Sequence, residues 1–144
     1  MRHIIAYAGL SLGLMAGPTL AQQAGPFELQ LVDAKSQNNA CSIIMRVKNT
    51  TGVNIAEAHY EVQGLDSKDM YKGSFNLNLG EIKSGKERFV HFDLAGMACE
   101  DLARLHANGF TSCKGDKDYL DLCNGAAKVS SAIALKFNDD AGGG

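Results

Sequence analysis

Between Cys41 and Leu94, apolar and polar residues alternate in run after run, with turn residues between the runs. In Cys41–Lys48 the odd positions are apolar or thiol and most even positions are polar. Successive side chains of a strand leave opposite faces, so this period of two fits strands with one buried face. Asn49-Thr50-Thr51-Gly52 ends the run with turn chemistry. Ile55–Val62 follows, with Ala56, Ala58, Tyr60 and Val62 on one face. Tyr71–Leu79 then aligns Phe75, Leu77 and Leu79, and the next run aligns Val90, Phe92 and Leu94.

The same pattern extends to both sides. Phe27, Leu29 and Leu31 form a first strand, and the polar Lys35–Ala40 segment reads as a connecting loop. After Leu94 the pattern breaks at Ala95–Ala98, and Cys99–Ala103 has room for one helical turn. A strand is expected over Arg104–Ser112, a polar loop over Lys114–Asn124, and a last strand over Val129–Phe137. Seven short strands joined by turns predict an all-β, seven-stranded sandwich of immunoglobulin or fibronectin III type over residues 22–138. A closed barrel satisfies the same alternation. The tail from Asp139 to Gly144 is expected to be disordered.

Residues 1–21 have the layout of a secretory signal peptide. Arg2 supplies the positive end, Ile4–Gly17 is uncharged and apolar, and Ala21 is the expected cleavage position. The apolar run is shorter than the roughly 20 residues a membrane span needs, so no stable span is expected after cleavage. Loss of Arg2 leaves 13 basic residues against 16 acidic ones, a net charge of −3. A weakly acidic chain with no basic run is poorly suited to a phosphate backbone, so no nucleic acid is expected. The chain also has no Trp, which removes the best stacking platform for bases or sugars.

Four cysteines, Cys41, Cys99, Cys113 and Cys123, follow the signal segment. An even number in an exported chain reads as two disulfides. None of the spacings is the C-x-x-C of zinc or redox sites. In the immunoglobulin-type arrangement the second and fifth strands are neighbours, so Cys41 and Cys99 fall at one edge and Cys113 and Cys123 close a loop. The other two of the three possible pairings remain open.

Several segments in this region share a family pattern: Val47-Lys48-Asn49-Thr50-Thr51-Gly52, Ile55, Tyr60-Glu61-Val62 and Asp66-Ser67-Lys68. Leu79-Gly80-Glu81-Ile82-Lys83-Ser84-Gly85, Val90 and Phe92 complete it. Together they resemble the FxLYD-type domains of bacteria, over about the middle third of the chain. Where the family signature stands, this chain has Tyr60-Glu61-Val62-Gln63-Gly64. The resemblance implies a small extracytoplasmic sandwich. It implies no activity.

Few residues suggest chemistry. His59, His91 and His106, with Met70 or Met97, are the candidate ligands for copper or zinc. His59 and His91 fall on polar strand faces that point apart if their strands belong to different sheets. Asp116, Asp118 and Asp121 lack the spacing and the glycine of a calcium loop. Asn49-Thr50-Thr51 is a formal glycosylation sequon, and the same residues suffice as a turn. The chain has no nucleophile elbow, no His-Glu-x-x-His and no phosphate loop. An enzyme would need an acid–base pair such as Glu57 with His59, and a pocket.

These readings converge on a periplasmic or secreted, non-catalytic binding or accessory module that contacts another envelope or secreted protein and needs no cofactor. Phe89 and Phe110, both assigned to polar faces by simple alternation, are the candidate partner contacts. The loops Asn38–Ala40, Ser67–Met70 and Lys114–Asn124 are the candidate recognition segments. A metal-binding protein and an enzyme with a non-motif active site are the alternatives.

Overall fold

The alternation resolves into eight strands in two four-stranded sheets. The computed structural model describes Gly9 and residues 25–139. The expected signal peptide, Gly9 aside, and the expected tail beyond Asp139 lie outside the described residues. The chain runs β1 (Phe27–Gln37), β2 (Ala40–Asn49), β3 (Glu57–Leu65), β4 (Tyr71–Asn78), β5 (Glu87–Ala95), a 3-10 turn (Cys99–Asp101), β6 (Arg104–Lys114), α1 (Leu120–Ala126), β7 (Ala127–Ser131) and β8 (Lys136–Asn138). One sheet has the order β5-β2-β1-β7 and the other β4-β3-β6-β8. The fold is a sandwich and not a closed barrel. Two disulfides, Cys41–Cys99 and Cys113–Cys123, hold it.

Phe27, Leu29 and Leu31 of β1, Ile43, Met45 and Val47 of β2, and Ala58, Tyr60 and Val62 of β3 point between the sheets and are buried. Burying apolar surface at this period is the main driving force for a sandwich. The segment expected to be a loop at Lys35–Ala40 is instead strand on both sides of a two-residue turn. Asn38 (φ 51°) and Asn39 (φ 57°) take the left-handed conformation there, which Asn tolerates well. Cross-strand pairing then continues from Gln37 opposite Ala40.

The last expected strand is really two. β7 pairs parallel with β1, and β8 pairs parallel with β6 in the other sheet. Ser131 makes the change of sheet. Its hydroxyl donates to the Leu135 carbonyl at 2.6 Å and accepts the Ile133 N–H at 3.2 Å, folding the chain back on itself. Seven expected strands therefore become eight, and β7 with β8 draws one side of the sandwich together.

On the opposite side, β4 and β5 are the edge strands of the two sheets. Their inward residues Phe75, Val90 and Phe92 are only partly buried. Two residues tie this side together. At one end the Arg88 guanidinium donates to the Glu81 carbonyl at 2.6 Å and the Leu79 carbonyl at 3.4 Å. At the other, Met97 lies over two glycines. A Cβ on Gly73 would stand 3.3 Å from its methyl, and one on Gly64 would stand 2.8 Å from the Leu102 side chain and 3.7 Å from the Met97 sulfur.

Phe110 corrects the simple alternation. It is 5% exposed and belongs to the core, not to a partner-facing surface. Its ring meets Phe27 at 4.8 Å and Tyr60 at 4.9 Å, both edge-on. The cause is a pair of register shifts between β3 and β6, which leave Asn108 and Thr111 without opposite residues. Each bulge turns the alternation over once. Between them Gly109 faces Glu61 and Phe110 faces Tyr60. Gly109 adopts φ 112°, which suits glycine alone. Asn124 of α1 locks the bulge: its Oδ1 accepts the Phe110 N–H at 2.8 Å, and its Nδ2 donates to the Phe110 carbonyl at 3.2 Å.

Candidate functional site

The 3-10 turn Cys99–Asp101 stands where three segments of the loop end meet. Its disulfide to Cys41 ties it to the start of β2, with the two Cα atoms 4.7 Å apart. Ser36 ties it to β1: the Ser36 hydroxyl donates to Glu100 Oε2 and accepts the Cys99 N–H, both at 2.7 Å. That hydroxyl and the backbone N–H of Glu100 itself hold the Glu100 carboxyl below its ordinary range. A recess of about 530 Å³ opens between the Asn38-Asn39 turn and Gly96–Ala98. A second, of about 260 Å³, separates the turn from Asp66, Ser67 and Lys72. A third, of about 580 Å³, lies against Ile133–Lys136.

The β3–β4 turn borders the second recess. Asp66 Oδ1 accepts the N–H groups of Lys68 and Met70, both at 2.9 Å, and these bonds lower the Asp66 pKa. Asp69 takes φ 58° and lies 3.4 Å from the Arg104 guanidinium. The turn thereby pushes Met70 and Tyr71 outward, and each is 61% exposed. Two of the three loops expected to recognise a partner, Asn38–Ala40 and Ser67–Met70, thus gather at one end. Asp66, Asp69, Glu100 and Asp101 stand there against Lys68, Lys72 and Arg104; Lys72 lies 3.8 Å from Asp66 and Arg104 3.4 Å from Asp69, so the acidic excess of that end falls on Glu100 and Asp101. The third loop lies elsewhere. The expected loop Lys114–Asn124 is loop only as far as Tyr119: Leu120–Asn124 belong to α1 beside β6, and Asp118 accepts the Leu120 N–H and Asp116 the Tyr119 hydroxyl. Two of its three aspartates therefore organise the loop.

The histidines are dispersed. His59 lies on the outer face of β3, and His91 lies on β5 in the other sheet. His106 is six residues along β6 from Ser112, the cross-strand neighbour of His59. Met97 is turned in over Gly64 and Gly73. Among the described residues, no group of three or more His, Cys, Asp or Glu side chains stands close enough to hold a metal ion. Glu57 and His59 do meet, with Oε1 3.0 Å from Nε2, and Asn76 Oδ1 lies 3.0 Å from Nδ1. The pair stands on an outward strand face, and the Glu57 side chain is 56% exposed. A second polar row, missed by reading motifs alone, crosses the other sheet. Ser42 donates to Asp93 Oδ1, and His91 Nε2 lies 3.3 Å from the same oxygen. The carboxylate sits between the hydroxyl and the imidazole, so the imidazole cannot take the serine proton directly, as a nucleophilic triad requires.

The sequon is closed off. Asn49 is fully buried. Its Nδ2 donates to the Val53 and Ile82 carbonyls, and its Oδ1 accepts the N–H and hydroxyl of Thr51. Three of these bonds build the turn, and the one to Ile82 ties it to the segment before β5. Phe89 is 62% exposed on β5, as its place on a polar face leads one to expect. Two disulfides suit an oxidising compartment, and no helix among the described residues is long and apolar enough to cross a membrane.

No protein-family model matches the chain, and no curated protein or solved structure matches it.

Proposed function

We propose that this chain is a periplasmic or secreted, non-catalytic binding module whose loop end holds another protein of the envelope. The observation that carries the reading is the exposed pair Met70 and Tyr71, set beside the recessed, acidic surface around Cys99–Asp101. Large exposed apolar side chains rimmed by polar groups favour protein contact. The acidic surroundings favour a partner that presents apolar residues flanked by Lys or Arg. The likeness of the middle third of the chain to FxLYD-type extracytoplasmic domains supports the same reading.

The test is capture from crosslinked cell envelopes with a tag after Gly144. The expected result is one stoichiometric protein, carrying a basic and apolar surface, that is lost from the double variant Met70→Ser/Tyr71→Ser. It should be retained by Glu57→Gln and His59→Ala. Loss in the Glu57 or His59 variants with retention in the double variant would move function to the outer face of β3 and refute the loop-end reading.

A further inference from the structure

β5 is an edge strand, and one whole side of its backbone faces no other strand of its sheet. Exposed edges are templates for pairing, and proteins commonly guard them with charged side chains, a proline, a bulge or an inward-pointing charge. β5 has no proline, and its pairing with β2 runs without a register shift from Glu87 to Ala95. Its outward row is Glu87, Phe89, His91 and Asp93, all exposed, with Phe89 the most exposed large apolar side chain described. The row sets two carboxylates and an imidazole around one aromatic ring. That arrangement is self-complementary under a two-fold axis.

We infer that the edge of β5 joins a second copy of this chain, antiparallel, with Phe89 opposite Phe89 on the axis. An isologous contact of this kind closes on itself and gives a dimer. In this register Glu87 of each copy faces His91 of the other, so two unlike pairs flank the stacked rings. Glu87 Oε2 already takes the Arg46 guanidinium at 2.6 Å, which leaves Oε1 for the imidazole across the axis; His91, whose Nε2 lies 3.3 Å from its own Asp93, meets it by turning from Asp93 or by carrying a second ring proton. Moving the axis to Val90 sets Glu87 against Asp93, and like charges directly opposite are destabilising. Moving it to His91 sets imidazole against imidazole and Phe89 against a carboxylate. On the outward face only the Phe89 register, among these, matches apolar with apolar and a carboxylate with an imidazole; on the inward face it sets Arg88 opposite Val90. The result is a continuous eight-stranded sheet, β7-β1-β2-β5 followed by the same four strands of the second copy. Overlap spans only Glu87–His91, far fewer than the roughly 20–30 residues a side of a standard interface. The dimer is therefore weak and concentration-dependent, and it uses a face separate from the loop end.

The experiment uses the mature chain with both native disulfides intact. Directly opposed Cα atoms in an antiparallel pair lie about 4.5–5.5 Å apart, within the range of a disulfide. Phe89→Cys should crosslink to itself under mild oxidation. Glu87→Cys should not, but an equal mixture of Glu87→Cys and His91→Cys should crosslink between variants. Sedimentation equilibrium of the unmodified chain should show self-association that Phe89→Asp abolishes without changing the circular dichroism spectrum. Equal crosslinking of Glu87→Cys and Phe89→Cys would mean random collision and overturn the inference. A monomer at every concentration would do the same, and His91→Cys crosslinking alone would refute the register. Capture of an envelope partner through Met70 and Tyr71 is read separately, so either proposal can fail without the other.

Discussion

Replacing Phe110 by Ala should cost a large share of the margin by which this domain is folded. The ring is 5% exposed and meets Phe27 and Tyr60 edge-on at 4.8 and 4.9 Å. Removing a buried Phe ring costs about 3–5 kcal/mol, because the transfer energy and the cavity left behind add. Edge-on aromatic pairs contribute about 0.5–1.5 kcal/mol each beyond area, which places this site near the upper end. A domain of this size is typically stable by about 5–15 kcal/mol, and each kcal/mol lowers Tm by roughly 3–6 °C. Phe110→Ala should therefore melt about 12–30 °C lower. Phe89→Ser, on the exposed edge, should change stability by no more than about 0.5 kcal/mol. Both are read by thermal and urea unfolding followed by circular dichroism, with equal urea m-values confirming that the compared states are alike. If the two variants melt together, the double bulge of β6 does not turn Phe110 into the core and the packing described above is wrong.

The Asn49→Ala variant should lose about 3 kcal/mol or more, since three buried bonds and one part-buried bond are lost at once; urea unfolding measures it. Replacing both cysteines of one disulfide by Ser should cost about 4 kcal/mol for Cys41–Cys99 and about 3 kcal/mol for Cys113–Cys123. The order follows from separations of 58 and 10 residues, because the longer loop frees more chain entropy on unfolding. Asn124→Ala leaves the Phe110 N–H and carbonyl without their partner and should cost about 1–3 kcal/mol. Acid should destabilise the fold through Asp66, Glu87 and Glu100, whose folded pKa values all lie below the ordinary values of 3.8, 4.5 and 4.5. The stability they contribute is present above those values and is lost as pH falls through the lowered ones, so Tm should fall below about pH 4. Tyr60 acts at the other limit. Burial, with Asp139 adding, pushes its phenol up to about 12 from 10.0, so its contribution is complete below pH 10 and is lost as pH rises toward 12. A melting series from pH 2.5 to 12 reads both limits.

Much of the architecture was legible before any coordinates. The inward faces of β1–β3 follow from alternation, because a strand has only two faces and water selects between them. An even count of four cysteines implied two disulfides, and the neighbouring edges of a sandwich suggested their pairing. Phe110 was misplaced because alternation holds only within an unbroken ladder. Gly109 was the available signal, since an isolated glycine in a strand marks a bulge. The split of the last strand was also hidden. Ser131 turns the chain by bonding to backbone groups two and four residues away, and nothing in Val129–Phe137 distinguishes that from a continuous strand.

The candidate sites divide along the same line. Residue types and their order determined which side chains were polar, exposed and capable of chemistry, because those properties are local. Which of them meet is decided by register and by sheet membership, and these arise from contacts between residues tens of positions apart. Thus β3 and β5 fall in different sheets and separate His59 from His91, while Ser36 and Glu100, 64 residues apart, come together at the loop end. β4 and β5 become edges only because β3 and β2 occupy the inner positions of their sheets. Phe89 was legible as an exposed ring; that it stands on a free edge, in a row complementary to itself, was decided by the tertiary fold.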